Sequence, residues 1–123
     1  MDPNILEKFK RIRAEVIKKF DKISLFVLIK RIDENLWDFV IAGNKLDQPE
    51  NFKTIADIIN KELDKNEIVN ISRLVLLISE NPFVKDFNSA FSVSSDNGYI
   101  TIKDSQINNI RIKEAYLFLS KTA

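Results

Sequence analysis

Three segments of the chain are apolar at every position: Leu25-Phe26-Val27-Leu28-Ile29, Leu74-Val75-Leu76-Leu77-Ile78 and Tyr116-Leu117-Phe118-Leu119. Each reads as a strand. Because a strand alternates its side chains between two faces, an unbroken apolar run requires both faces of the sheet to be shielded from water. That requirement limits the folds open to this chain more than any motif in it.

The remaining pattern supplies little material for the shield. Asp2-Pro3 is a helix start, with Asp as N-cap and Pro at the first helical position, where its missing N–H is not needed. Ile5, Phe9, Ile12, Val16 and Phe20 then recur at helical spacing, giving one apolar stripe on a helix that ends near Lys22. Strands are expected at 24–31 and 36–42, joined by a turn at Asp33-Glu34-Asn35. A second helix is expected from about Gln48 to Lys65, with Phe52, Ile55, Ala56, Ile59 and Leu63 inward. A strand at 71–79 precedes a short helix opened by Asn81-Pro82, with Phe83, Phe87 and Ala90 or Phe91 in line. Beyond it lie a weak strand at 91–93, a turn at Asp96-Asn97-Gly98, an alternating strand at 99–103 and a long one at 110–120, open to a break near Glu114. The order α-β-β-α-β-α-β-β-β describes a single α+β domain over residues 1–123: a mixed, largely antiparallel sheet of five to six strands, with two long helices and one short helix on it.

Two arrangements satisfy the demand for cover. The helices divide between the faces, or a second copy or a partner covers part of one face; the second is preferred. Trp37 and Phe39 point the same way along their strand and are suited to anchoring such an interface. The plainer assignment of both to the core carries more weight.

Residues 39–47, FVIAGNKLD, place Asn44-Lys45-Leu46-Asp47 after an apolar strand. This resembles the guanine-specificity loop of the small GTPase family, whose aspartate accepts hydrogen bonds from the base. The resemblance covers four residues of 123. A P-loop needs glycines so that backbone N–H groups can wrap phosphate oxygens, and the only two here, Gly43 and Gly98, lie far apart. The D-x-x-G switch signature is missing too. The stretch reads instead as a strand-to-helix turn, in which Gly43-Asn44 turn the chain and Asp47 with Glu50 forms a capping-box-like start beside Pro49. No nucleotide is expected.

Residues 93–104 (VSSDNGYITIKD) imitate a calcium loop from Asn97-Gly98 to Asp104, but Val93 and Ser95 stand where carboxylates are needed, so a hairpin turn is expected there. With no histidine and no cysteine in the chain, the usual zinc sites, Ser-His-Asp triads and thiolate nucleophiles are excluded. No Asp or Glu is followed two residues later by Lys, so the metal-nuclease (D/E)-x-K signature is absent as well. Acid pairs such as Asp33/Asp38 or Asp57/Asp64 are what eighteen acidic residues produce by chance. Asp38 stands out because it interrupts an apolar strand; it is expected to face solvent or to bond the Trp37 indole. No enzyme, metal or cofactor is expected.

The formal net charge is +1, unevenly spread. Residues 1–31 hold nine basic and four acidic side chains, and the rest ten and fourteen. Lys8, Arg11, Lys18, Lys19 and Lys22 lie off the apolar stripe and are candidate phosphate contacts. Glu7 and Glu15 share that surface, and a Glu15–Lys19 pair would stabilise the helix. A solvated mixed-charge face is the simpler account. No apolar run can span a bilayer and no signal-peptide core opens the chain, so a cytoplasmic location without membrane contact is expected. The functional expectation is a small non-enzymatic protein acting through protein–protein contact, as a homo-oligomer or an adaptor for a partner. The alternative is a nucleic-acid-associated protein using the basic first helix.

Overall fold

The computed structural model describes residues 1–94 and 98–121. The element order is α1 (Pro3–Lys19), β1 (Ile23–Arg31), β2 (Trp37–Gly43), α2 (Pro49–Glu62), α3 (Lys65–Ile68), β3 (Ile71–Ile78), α4 (Pro82–Ala90), β4 (Ile100–Ile107) and β5 (Ile110–Ser120). The five strands form one sheet in the order β3-β2-β1-β5-β4. β2 and β3 run parallel, and the other neighbours are antiparallel. This is the expected α+β architecture. The weak strand expected at 91–93 is reduced to a single bridge between Val93 and Ser120. β5 runs unbroken, and its suspected break is a register shift against β1 between the Lys30–Glu114 and Arg31–Ile112 pairs. The expected turn at Asp96-Asn97-Gly98 lies partly outside the described residues.

The parallel step from β2 to β3 needs a crossover, and α2 with α3 supplies it on the same face as α1. The core on that face is aromatic. Phe39 meets Phe9 at 5.0 Å and Phe26 at 4.8 Å between ring centroids, both edge to face, and Phe118 lies 5.7 Å from Phe26. Such offset contacts are favoured by the ring quadrupoles beyond the area they bury. The chain must then travel from β3, at one edge of the sheet, to β4 at the other. It does so across the opposite face as α4, where Val84 and Phe87 pack with Leu25, Val27, Ile102 and Leu117. The helices therefore divide between the faces.

Several boundaries move for local reasons. α1 stops at Lys19 because Phe20 turns extended and closes the helix with its N–H on the Val16 carbonyl. Lys22 then adopts a left-handed conformation (φ 56°) outside the helix and its face. The inward stripe of α1 includes Leu6 and Arg13. Asp47 does not cap α2; the N-cap is Gln48, without a side-chain bond, and Asn51 closes the loop by donating to the Lys45 and Leu46 carbonyls. Lys45, not Gly43, carries the left-handed turn (φ 55°). Phe52, on the first turn of α2, is exposed, and Ile58 takes an inward place beside Ile55 and Ile59.

The capping box lies seventeen residues beyond its expected place, where Asp64 and Glu67 bond each other's backbone N–H at 2.9 Å. Glu67 also accepts from Lys8 of α1 at 2.6 Å, so one carboxylate caps α3 and ties α1 to the crossover. The Lys8 bond, reinforced by the Asp64 N–H, holds the Glu67 carboxyl below its ordinary value of 4.5, against the opposing effect of burial. A depressed carboxyl contributes stability that is complete above its unfolded-state value and is lost as pH falls through the folded value. Urea unfolding should therefore find Glu67→Gln less stable than wild type at neutral pH, with the gap closing on acidification below about 4.5. A gap that does not change with pH would contradict this role.

Candidate functional site

β1 and β2 bury every residue from Ile23 to Ile29 and from Trp37 to Gly43. β3 buries none fully, although six of its eight residues are aliphatic. Leu74 and Leu76 lean on the α1–α2 core, and Val75 and Leu77 on the α4 core. The cause is geometric. Five strands span about 19 Å at ~4.8 Å spacing, whereas a helix is about 10 Å wide, and the single α4 sits over β1 and the β4–β5 side. The β3 end of that face stays open. β3 is also an edge, with no strand on its outer side among the described residues.

The open area contains a groove of about 200 Å³. Ile29, Val40, Val75 and Leu77 supply apolar surface from three strands, and Phe83 of α4 and Ile110 of β5 border it. At its polar end sits Asp38 with two arginines. Asp38 pairs across the sheet with Arg73, because a bulge between Trp37 and Asp38 leaves Ser72 unmatched and turns Arg73 onto this face. Arg73 grips the carboxylate as a fork, Nε to Oδ1 at 3.1 Å and Nη2 to Oδ2 at 3.2 Å. Arg31 Nε lies 3.1 Å from Oδ2 as an ion pair, without hydrogen-bond alignment. Glu34 approaches Arg31 Nη2 at 3.8 Å from the exposed turn.

Asp38 therefore neither faces solvent nor bonds the indole. Neighbouring residues of a strand point to opposite faces, so Trp37 lies with the α1–α2 core. There it meets Tyr116 at 5.2 Å and carries Lys30 over its ring at 5.6 Å. Trp37 is 6% exposed and Phe39 0%. Both aromatics are core residues of this chain, and neither offers a surface anchor.

The candidate phosphate contacts do not form a common row. Lys8 is held by Glu67, and Arg11 Nε lies 3.0 Å from Glu62. Lys18 pairs with Glu15 at 3.7 Å in place of the expected Glu15–Lys19 pair. Lys19 borders a groove between α1 and α2 with Lys61 and three acids, Glu15, Asp57 and Glu62, and Lys22 has left the helix. Among the described residues, no group of three or more acids is placed to hold a metal ion, and no helix is long and apolar enough to cross a membrane.

No family model matches the chain, and neither a curated protein nor a solved structure matches it.

The triad at Asp38 was only half legible in sequence. Asp38 is visible as a charge in an apolar strand, but its partners come from β1 and β3, and the bulge that turns Arg73 inward has no glycine or proline to announce it. Its energetics are asymmetric. The Asp38 side chain is 8% exposed, against 38% for Arg31 and 56% for Arg73, so the arginines can reach water and the carboxylate cannot. Asp38→Ala should cost about 1–2 kcal/mol. Arg31→Met with Arg73→Met, which strands a buried carboxylate, should cost more, about 3–5 kcal/mol. Urea unfolding of the two variants checks the order, and the reverse order would contradict this description.

Proposed function

We propose that this chain is a non-enzymatic interaction protein of the cytoplasm that associates with a second copy of itself through the free edge of β3. The observation that carries the reading is the contrast between the two edges of the sheet. Sheet edges invite pairing, and proteins that stay single blunt them with charge, bulges or cover. The β4 edge is blunted: its sequence ITIKDSQI carries Lys103 and Asp104, and Asp104 takes a left-handed conformation (φ 51°). The β3 edge, eight residues long, has no charged residue after Arg73 and keeps its aliphatic side chains half-exposed.

A second copy suits this edge better than an arbitrary strand. Antiparallel pairing centred on Leu76 sets each of the apolar residues 74–78 opposite an apolar residue of the other copy. Such a contact is isologous, so it closes at two copies, and the blunted β4 edges discourage further growth. Trp37 and Phe39 support it from inside the sheet without touching the partner. The nucleic-acid alternative draws less support, since Lys8, Arg11 and Lys18 are engaged by acids of the same chain.

Light scattering after size exclusion should give twice the chain mass for the wild type. Val75→Lys, which places a charge in the middle of the pairing edge, should give a single chain with an unchanged circular dichroism spectrum. A wild type that stays monomeric at all concentrations would overturn the reading. So would a Val75→Lys protein that remains folded and dimeric.

A further inference from the structure

The groove beside β3 has a chemistry that self-association through the strand edge leaves unused. Its body is aliphatic and aromatic, from Ile29, Val40, Val75, Leu77 and Phe83, and its polar end carries two guanidinium groups on one buried carboxylate. Each guanidinium presents five N–H donors, and an ionised carboxylate accepts about four bonds. Asp38 therefore leaves most of the donors free. Glu34 does not use them up, since its nearest approach is 3.8 Å and its side chain is 55% exposed. Positive donors at one end of an apolar trough select an anion with an apolar tail. Planar guanidinium forks match a carboxylate in two-point geometry.

We propose that this groove binds a small aliphatic carboxylate, its head on the outward edges of Arg73 and Arg31 and its chain along Ile29, Val40, Val75 and Leu77. The volume, about 200 Å³, sets the size. At ~30 Å³ for each water-sized group it holds roughly seven of them, which is a chain of about six to eight carbons. Longer chains would project past Phe83 into solvent and gain little. Asp38 is a positioning residue: it fixes both guanidiniums at the head of the groove and does not itself meet the ligand. The inference stands apart from self-association, because the ligand lies on the sheet face whereas strand pairing uses the backbone edge.

The test is titration of the full chain, with labelled Ile, Leu and Val methyl groups, with octanoate, octan-1-ol and octylammonium. Octanoate should bind in the millimolar range or tighter, octylammonium should not bind, and octanol should bind about tenfold more weakly than octanoate for want of the charge-assisted bonds. Shifts should concentrate at Ile29, Val40, Val75, Leu77 and Ile110. Arg73→Met, which keeps the side-chain stem, should bring octanoate down to the affinity of octanol, and Arg73→Lys should recover part of the loss. Equal binding of octanoate and octanol to the wild type would remove the role of the arginines. Shifts centred elsewhere, or no binding at all, would overturn the site. The first comparison needs no variant, so a destabilised Arg73→Met protein does not shelter the proposal. Measuring chain mass on the same samples separates failure of the groove from failure of the dimer.

Discussion

β1 and β2 are buried on both faces along almost their whole length, and the rest of the molecule is arranged around the shelter they need. On one face the demand is met in full. α1 and the α2–α3 crossover lie together there, over an aromatic core in which Phe9 of α1 reaches between Phe39 and Phe118. The Lys8–Glu67 and Arg11–Glu62 pairs tie α1 to the crossover at its polar border. The more exposed Arg11–Glu62 pair contributes little by itself, whereas the partly buried Glu67 also completes the capping box of α3, so docking α1 and starting α3 depend on one side chain.

Among the described residues the other face has only α4, and what it leaves open is the surface we propose for association and binding. The short α4 borders β3 through Phe83 without covering it, so β3 keeps half-exposed aliphatic residues beside a groove. Asp38 lies in that groove because the strand alternation that sends Trp37 inward sends the next residue to the opposite face. The local answer is a pair of arginines from the flanking strands. Burying a carboxylate in this way rarely adds net stability over an apolar residue. What it does supply is a fixed pair of cationic forks at the end of an apolar trough.

Much of this organisation could be read from the residues. The two-faced apolar runs marked β1, β5 and β3, of which β3 takes the sheet edge, and the Asp2-Pro3 and Asn81-Pro82 signals marked two helix starts whose caps bond as expected, Asp2 to the Asn4 N–H and Asn81 to the Phe83 N–H. Errors fell where a tertiary contact decides between local options. Asp47 and Glu50 have the spacing of a capping box, yet Asn51 closes that loop and Gln48 takes the cap position. For Trp37 and Phe39 the core assignment carried more weight than an interface, and their enclosure bears it out, but the α1 and β5 residues that enclose them are distant in sequence. The partners of Asp38 were hidden for the same reason, compounded by a bulge at Ser72 that reverses the alternation of β3.

The central claim is that the β3 edge is a pairing surface, and amide hydrogen exchange followed along β3 and β4 as a function of protein concentration tests it most directly. Both are edge strands, so in an isolated chain the amides pointing away from the sheet should exchange quickly in each. The account predicts that the outward amides of β3 gain protection as concentration rises, while those of β4 remain fast. Outward amides of β3 that exchange as fast as those of β4 at every concentration would contradict it.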